Sequence, residues 1–226
     1  MDKTACVVGA SGGIGAATVD RLSKAGYSKV LRMDLDGPIR VDLAEPSSVE
    51  TGFDEARRLA PRLDALVVAS GILDLEKLAA TNLERWNRVL AVNLTGPFLC
   101  CRLARDWLND GGRIVLVGSL AGRTGGVLTG TAYAVSKGGL ESLTKSVAQE
   151  LAPRRITVNC VAPGAVQTLM LDRNSPGSLE AMKAATPLKR VAQPEEIAAA
   201  IAFLASDDAG FVTGAVFPVN GGLRMD

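Results

Sequence analysis

Short apolar runs alternate with longer amphipathic stretches along most of this chain. The runs are rich in β-branched residues and indicate strands at residues 4–8, 29–33, 39–43, 63–70, 113–118, 156–161 and 215–219. Between them, apolar residues recur at helical spacing and indicate helices at 46–59, 83–108, 133–150 and from 194 onward. This order predicts an α/β fold: a Rossmann-type, doubly wound parallel sheet in three α/β/α layers, forming a single domain over residues 1–226.

Two segments depart from this alternation. Only four residues separate Asp34 from the run at 39–43, too few for a crossover helix between parallel strands, so we expect a shortened connection. Residues 165–193 are irregular and glycine- and proline-containing, which is typical of a segment that covers a site. We expect a substrate lid there, with Met170 and Met182 giving it an adaptable apolar surface.

Composition excludes several kinds of function. The 25 basic and 24 acidic residues form no long run of one sign, so we expect no nucleic-acid partner and no membrane partner. No apolar run reaches the ~20 residues that a membrane span needs, and we expect a cytoplasmic protein. The chain has no histidine and no CxxC pair, which argues against a metal site and against any catalysis that depends on imidazole.

A glycine-rich turn joins the first strand to the first helix. Such turns bring backbone N–H groups and a helix N-terminus up to a diphosphate, although many of them are merely steric. Asp34 lies 19 residues after Gly15, where an acid that binds an adenosine ribose is expected; a surface aspartate that ends a strand is the alternative. The turn residues that we expect at a dinucleotide are Gly9, Ser11, Gly12, Gly13, Ile14 and Gly15.

Tyr133 and Lys137 are one turn apart on the apolar face of the helix at 133–150. An ammonium on that face must be paired, must contact a ligand, or must reach solvent along its aliphatic stem. A lysine at i+4 can lower the pKa of a phenol, which would make Tyr133 a general acid or base. The residues alone leave these readings open.

Taken together with Asn93, Ser119 and the terminal Gly221-Gly222, these motifs resemble the classical short-chain dehydrogenase/reductases over nearly the whole chain. The resemblance implies an NAD(P)-dependent oxidoreductase that interconverts a secondary alcohol and a ketone. It implies that Tyr133 exchanges a proton with the substrate, Ser119 orients the substrate oxygen, Lys137 holds the nicotinamide ribose and lowers the phenol pKa, and Asn93 anchors a water.

The resemblance also extends the cofactor site beyond the glycine turn. It implies contacts from Asp34, Leu35, Asp42, Leu43, Ala69, Gly71, Tyr133, Lys137, Pro163, Gly164, Val166 and Thr168. Because Asp34 and Asp36 would repel a 2′-phosphate, we expect NAD, with NADP less favoured; Arg32 is the dissenting residue. Val68-Ala69-Ser70-Gly71 replaces the usual Asn-Asn-Ala-Gly, and Asn220 replaces a common acid, so local rigidity at this edge is in question.

Other functions have to be weighed against this one. A catalytically silent cofactor-binding protein, regulatory or scaffolding, is the main alternative, although such a protein would be expected to have lost Ser119, Tyr133 or Lys137. An acyl-transfer hydrolase is disfavoured because no histidine could activate a serine.

We expect a small, largely apolar substrate, because the residues predicted to line its pocket are Leu120, Ala121, Val127, Leu128, Val166, Leu169 and Met170. Arg123 could bind a substrate carboxylate or could be a solvated loop residue. We also expect a homo-oligomer, a tetramer or a dimer, since the helices at 83–108 and 132–151 carry apolar residues that face either a partner copy or the sheet.

Overall fold

The computed structural model describes residues 2–169, 171 and 178–225. Within that part of the chain, a parallel seven-stranded sheet has the strand order β3-β2-β1-β4-β5-β6-β7. The chain adds β2 and β3 on one side of β1 and then β4 to β7 on its other side, as in a doubly wound fold. The strands are β1 (Lys3–Val8), β2 (Tyr27–Asp34), β3 (Ile39–Arg40), β4 (Leu63–Val68), β5 (Leu108–Val117), β6 (Thr157–Pro163) and β7 (Val216–Val219).

Helices cover both faces of the sheet and form two cores. The helices are α1 (Gly13–Lys24), α2 (Pro46–Leu59), α3 (Leu83–Leu90), α4 (Gly96–Arg105), α5 (Ala121–Thr124), α6 (Thr131–Leu151), α7 (Ser178–Ala185) and α8 (Pro194–Leu204). Alternate residues of one strand point to opposite faces, so Cys6 packs with α2, α4 and α6 while Val7 packs with α1 and α8. The predicted three-layer architecture is confirmed.

The helix predicted over residues 83–108 is observed from Leu83 to Arg105, so it ends three residues early. Within it, α3 is followed by a π-helical turn at Ala91–Thr95 and then by α4. Pro97 explains the π-helical turn, because it has no N–H to donate to the carbonyl of Asn93 four residues earlier. The amide of Gly96 instead donates to the carbonyl of Ala91, five residues earlier.

Strand β5 also begins earlier than the predicted strand at 113–118. It starts at Leu108 and includes Gly111, which has a φ of 78°. Its pairing with β4 shifts register there, since Leu63 pairs with Leu108 but Ala65 pairs with Arg113. Gly111 and Gly112 therefore form an irregularity inside the strand and do not end a helix.

The shortened connection between β2 and β3 is confirmed. Strand β3 has two residues, and after it the amide of Val41 donates to the carbonyl of Asp34 over 2.9 Å. The predicted lid begins and ends at a parallel bridge between Val166 and Ala192, and α7 lies inside it. Met170 lies outside the described residues, and closure of the lid stays a prediction. No helix in the described residues is long and apolar enough to cross a membrane.

Candidate active site

Helix α6 places Tyr133 and Lys137 on one buried face. Gly130 precedes its first turn, and both side chains point toward the carboxyl ends of the central strands. Tyr133 is 8% exposed and Lys137 is 4% exposed. The Lys137 ammonium lies 5.8 Å from the centroid of the Tyr133 ring, which is close enough for an electrostatic interaction between the two groups.

The buried Lys137 ammonium is held by a backbone carbonyl. Its Nζ donates to the carbonyl oxygen of Val117, at the end of β5, over 2.9 Å. Burial lowers the pKa of Lys137 from 10.5 to about 8, and the nearby Cys160 thiol opposes that shift. Gly71 adjoins the same ammonium, because a Cβ there would lie 3.4 Å from Nζ. Lys137 is thus a buried cation with no carboxylate partner among the described residues.

The phenol pKa does not follow the expectation for a lysine at i+4. Burial raises the pKa of Tyr133 above its ordinary value of 10, and a hydrogen bond with the Ser119 side chain opposes this. The Lys137 Nζ is directed to the Val117 carbonyl and not to the phenol. Ser119 is the residue that acts on the phenol here.

Asn93 lies in the π-helical turn and is 1% exposed. Its side chain clamps the segment after β4, accepting from the Ile72 amide at 2.8 Å and donating to the Ile72 carbonyl at 2.9 Å. It also donates to the Ser136 hydroxyl, which in turn donates to the carbonyl of Tyr133. The expectation that Asn93 anchors a water stays a prediction. Sequence reasoning missed Ser136, whose only signal was a hydroxyl on the buried face of α6.

The glycine turn is built by close backbone packing. Gly9 has a φ of 85°, and a Cβ there would lie 2.5 Å from the amide of Ser70. A Cβ on Gly15 would lie 1.9 Å from the carbonyl of Gly9, so no other residue fits. Gly13 abuts the methyl group of Thr168, which brings the turn against the segment after β6. No side chain caps the N-terminus of α1, where Gly12 is the N-cap residue.

Asp34 ends β2 beside the glycine turn, with both carboxylate oxygens engaged. Oδ2 accepts from the Ser11 amide at 2.8 Å, and Oδ1 accepts from the Leu35 amide at 2.7 Å. Arg40 of β3 is opposite Asp34 in the register of β2 and β3, so a guanidinium lies on the neighbouring strand. It donates to the carbonyl of Leu35 at 3.2 Å. Sequence reasoning named Arg32 but missed Arg40, whose position depends on the unusually short connection.

Asp42 and Leu43, which were predicted to contact the cofactor, both make contacts within the protein itself. Asp42 Oδ1 accepts from the Ala44 amide at 2.9 Å. Leu43 is buried, and its side chain packs against Gly96, where a Cβ would lie 2.7 Å from the Leu43 Cβ. Leu43 could therefore contact an adenine through its backbone only.

The remaining predicted cofactor residues lie at the carboxyl ends of β4 and β6. Ala69 donates its amide to the Val8 carbonyl at 2.8 Å, and a Cβ on Gly164 would lie 3.1 Å from Asn220. Val166 is buried, and the hydroxyl of Thr168 is 3.5 Å from the Val166 carbonyl. Pro163 is the last residue of β6. The structure thus brings the residues predicted for one dinucleotide to one edge of the sheet.

Arg123 is not a fully solvated loop residue, because its Nε donates to both carboxylate oxygens of Glu141 and its side chain is 21% exposed. Binding of a substrate carboxylate by Arg123 stays a prediction. The predicted pocket lining is also divided: Ala121 and Val166 are buried, whereas Val127, Leu128 and Leu169 are mostly exposed.

The described residues contain no cluster of acids and cysteines suited to a metal ion. What the site offers is a buried phenol next to a serine hydroxyl, a buried ammonium 5.8 Å from the centroid of the phenol ring, and a glycine-lined helix N-terminus. The phenol can give or take a proton, and the ammonium can stabilise a negative charge next to it.

Comparison with known proteins places this site among oxidoreductases. Residues 9–224 match a family model described as enoyl-(acyl carrier protein) reductase. The chain is 34% identical to the uncharacterized oxidoreductase YmfI of Bacillus subtilis, with 98% of this chain and 99% of that protein covered. It is 35% identical to the 3-oxoacyl-[acyl-carrier-protein] reductase FabG of Aquifex aeolicus, covering 98% and 97% of the two chains.

A solved structure agrees over the same length. The fold superposes on a short-chain dehydrogenase/reductase from Brucella melitensis with a TM-score of 0.91 and 33% identity, covering 99% of this chain and 97% of the other. The likeness therefore extends over the whole sheet and both helical layers.

Proposed function

Since the chain belongs to the classical short-chain dehydrogenase/reductase family and is an NAD(P)-dependent oxidoreductase, we propose that it interconverts a secondary alcohol and a ketone, with Tyr133 as the general acid and base. The observation that carries this proposal is that the Ser119 hydroxyl approaches the buried phenol of Tyr133 closely enough to oppose the rise of the phenol pKa. Two hydroxyl groups held together at the carboxyl edge of the sheet can both contact one substrate oxygen.

The raised pKa of Tyr133 suits ketone reduction. A phenol whose pKa lies above 10 is protonated at neutral pH and can give its proton to a carbonyl oxygen as that oxygen gains charge. Ser119 would donate a second hydrogen bond to the same oxygen. The Lys137 ammonium, 5.8 Å from the ring centroid, would stabilise the phenolate that remains. A bound nicotinamide would supply the hydride in this direction and accept it in the other.

The residues at the carboxyl edge fit a dinucleotide. The helix N-terminus at α1 and the Gly9–Gly15 turn, which a Cβ would block, would hold the diphosphate. The carboxylate of Asp34 would hold the adenosine ribose, and Lys137 would hold the nicotinamide ribose. We propose NAD as the preferred cofactor, supported by the acid at Asp34 and opposed by the guanidinium of Arg40 beside it.

The proposed substrate is a small, largely apolar ketone or secondary alcohol. Arg123, the one cation among the predicted pocket residues, is bound to Glu141, which supports a neutral substrate. The named activity of the Aquifex relative makes a 3-oxoacyl thioester the natural comparison. A panel of cyclic ketones, aliphatic ketones, 3-oxoacyl thioesters and 2-oxo acids, each assayed with NADH and NADPH, tests the class. A strong preference for 2-oxo acids would contradict the proposal.

We also propose a homo-oligomer, a dimer or a tetramer. Leu83 of α3, Phe98 of α4 and Val135 of α6 are each at least 45% exposed, more than solvated helices usually show. Light scattering at micromolar concentration gives the mass directly, and a stable monomer would contradict the proposal.

One experiment separates catalysis from silent binding. NADH fluorescence should change on adding the protein, and NADH should be consumed when a substrate from the panel is present. A catalytically silent binding protein would give the fluorescence change without consumption of NADH by any ketone, and that result would refute the proposed reaction.

A further inference from the structure

An ion pair outside the proposed catalytic residues joins the two segments that carry them. Arg123 is in α5, just after Ser119, and Glu141 is in α6, one turn after Lys137. The Nε of Arg123 is 2.9 Å from one Glu141 oxygen and 3.2 Å from the other. The two side chains are only 21% and 11% exposed, so water screens their attraction less than it screens a surface pair.

Beneath this pair the two backbones touch. A Cβ on Gly122 would lie 2.7 Å from the amide nitrogen of Gly138 and from the carbonyl carbon of Lys137. A Cβ on Gly138 would lie 3.1 Å from the carbonyl oxygen of Gly122. The two segments therefore meet here through backbone atoms, and the ion pair beside this contact also joins them.

The turn that ends at Arg123 also fixes the hydroxyl of Ser119. The Ser119 Oγ accepts from the amide of Ala121 at 3.1 Å, and the Ser119 carbonyl accepts from the amide of Gly122 at 3.1 Å. The amide of Arg123 donates to the carbonyl of Leu120 at 3.0 Å. Three consecutive amides thus connect the guanidinium to the serine, and a displacement at Arg123 reaches Ser119.

We infer that Arg123 and Glu141 are positioning residues, whose ion pair holds the turn carrying Ser119 against the helix carrying Tyr133 and so keeps the Ser119 hydroxyl next to the Tyr133 phenol. The inference rests on the proposed function only for the catalytic meaning of that placement. Breaking the pair leaves a poorly solvated charge on whichever partner remains, which favours separation of the two segments.

Two other ionisable groups lie near the ion pair of Arg123 and Glu141, and the substitutions described below do not alter them. Lys137 lies on α6 itself, and its pKa is lowered to about 8. Cys160 of β6 faces Lys137, and burial raises the pKa of its thiol to about 12, so it stays neutral at pH 7. At that pH the charges of Arg123 and Glu141 are the ones that the substitutions below change.

The chain has two tyrosines, so the Tyr27→Phe background leaves Tyr133 as the single phenol. NMR of isotope-labelled tyrosine then gives one phenol ring-carbon resonance at pH 7, which responds to hydrogen bonding of the phenol. Ser119→Ala in this background defines the resonance position of the broken bond. Arg123→Met and Glu141→Gln should both move the resonance toward that position, and Arg123→Lys should move it less, since it keeps the charge.

Arg154→Met is the matched control. The Nε of Arg154 also donates to a carboxylate, that of Asp110, at 2.8 Å, but it lies away from Ser119 and Tyr133. It should lower the melting temperature without moving the resonance. For the active protein, Arg123→Met should reduce kcat by about 10-fold to 100-fold with unchanged NADH affinity, as expected for a misplaced catalytic group.

An unmoved resonance in Arg123→Met and in Glu141→Gln would overturn the inference, as would a Ser119→Ala spectrum identical to the parent. If Arg123→Met does not fold, Arg123→Gln and the reversed pair Arg123→Glu with Glu141→Arg provide the same comparison, and the reversed pair should restore the parent resonance. Because the spectrum needs no turnover, failure of this inference is distinct from failure of the proposed reaction.

Discussion

The amide of Ser11 donates to Oδ2 of Asp34 over 2.8 Å, so the acid that ends β2 also holds the glycine turn in place. One carboxylate thereby connects the two parts of the proposed dinucleotide site. We therefore expect a change at Asp34 to alter both the proposed cofactor preference and the shape of the turn.

Asp34→Asn should therefore weaken NADH binding by about tenfold, roughly the loss of one charge-assisted hydrogen bond, and should reduce the preference for NADH over NADPH. Asp36→Asn is the control, because Asp36 is exposed and its substitution removes an equal charge close to Asp34. Fluorescence titration of both variants with both cofactors measures the effect. Equal losses in the two variants would show that only net charge matters. An added Arg40→Ala change should weaken NADPH selectively if that guanidinium contacts a 2′-phosphate.

Tyr133→Phe should reduce kcat by about 10²-fold to 10⁴-fold, the usual contribution of a general acid or base, while NADH affinity stays nearly unchanged. Only the hydroxyl is removed, and the ring keeps its packing. Tyr27→Phe is the matched control, since its hydroxyl donates to the Ala205 carbonyl away from the site. Steady-state kinetics and NADH titration are the measurements. Near-normal turnover in Tyr133→Phe would exclude Tyr133 as the acid and base.

Lys137 should make the cofactor-free protein less stable at neutral pH than at high pH. Its pKa falls from 10.5 in an ordinary setting to about 8 in the fold because of burial. Between those values the unfolded chain binds more protons than the folded protein, so the free energy of unfolding rises with pH. Below about pH 8 the full cost of the buried charge remains.

Lys137→Met should accordingly be more stable than the wild type by up to about 3 kcal/mol at pH 7, and by less than about 1 kcal/mol at pH 10. Urea unfolding at the two pH values, without cofactor, measures the difference. Lys145→Met on the exposed side of the same helix should show no such convergence. Parallel stability curves for wild type and Lys137→Met would mean that the ammonium is not desolvated.

Lys77 should control the loop that precedes α6. Its Nζ donates to the carbonyls of Gly126, Val127 and Thr129 at 2.7, 3.2 and 2.6 Å. Lys77→Met should raise the KM for the ketone by roughly tenfold, the equivalent of losing one hydrogen bond from a charged donor, with NADH affinity unchanged. Lys145→Met again serves as the control. An unchanged KM would show that this loop does not contact the substrate.

The sequence predicted regular elements well where one local signal determined them. Helix α2 has the predicted bounds Pro46–Leu59, because a proline suits its first turn and one face is apolar. The Tyr133 helix was likewise predicted close to its observed limits, Thr131–Leu151. The glycine turn and the tyrosine-lysine pair were recognised from local spacing, whereas Asn93, Ser119 and the other site residues were proposed from the family resemblance.

What the sequence did not predict depends on contacts between distant segments. The pairing of Arg123 with Glu141 needs the backbones at Gly122 and Gly138 to touch, and nothing local in the chain indicates that. The pKa of Tyr133 was misjudged for a related reason. Spacing along the helix indicated Lys137 as its partner, whereas burial in the fold and Ser119, which follows β5, decide the direction of the shift.

The π-helical turn at Ala91–Thr95 has a consequence at the level of the gene. A π-turn accommodates one residue more than an α-helix of the same rise, so it corresponds to a single codon. Losing that codon would rotate α4 against α3 by about 100°. Cys100 and Ala104 would then leave the core that they now share with β5. In-frame deletions should thus be purged from this stretch during evolution, while substitutions at its exposed positions persist.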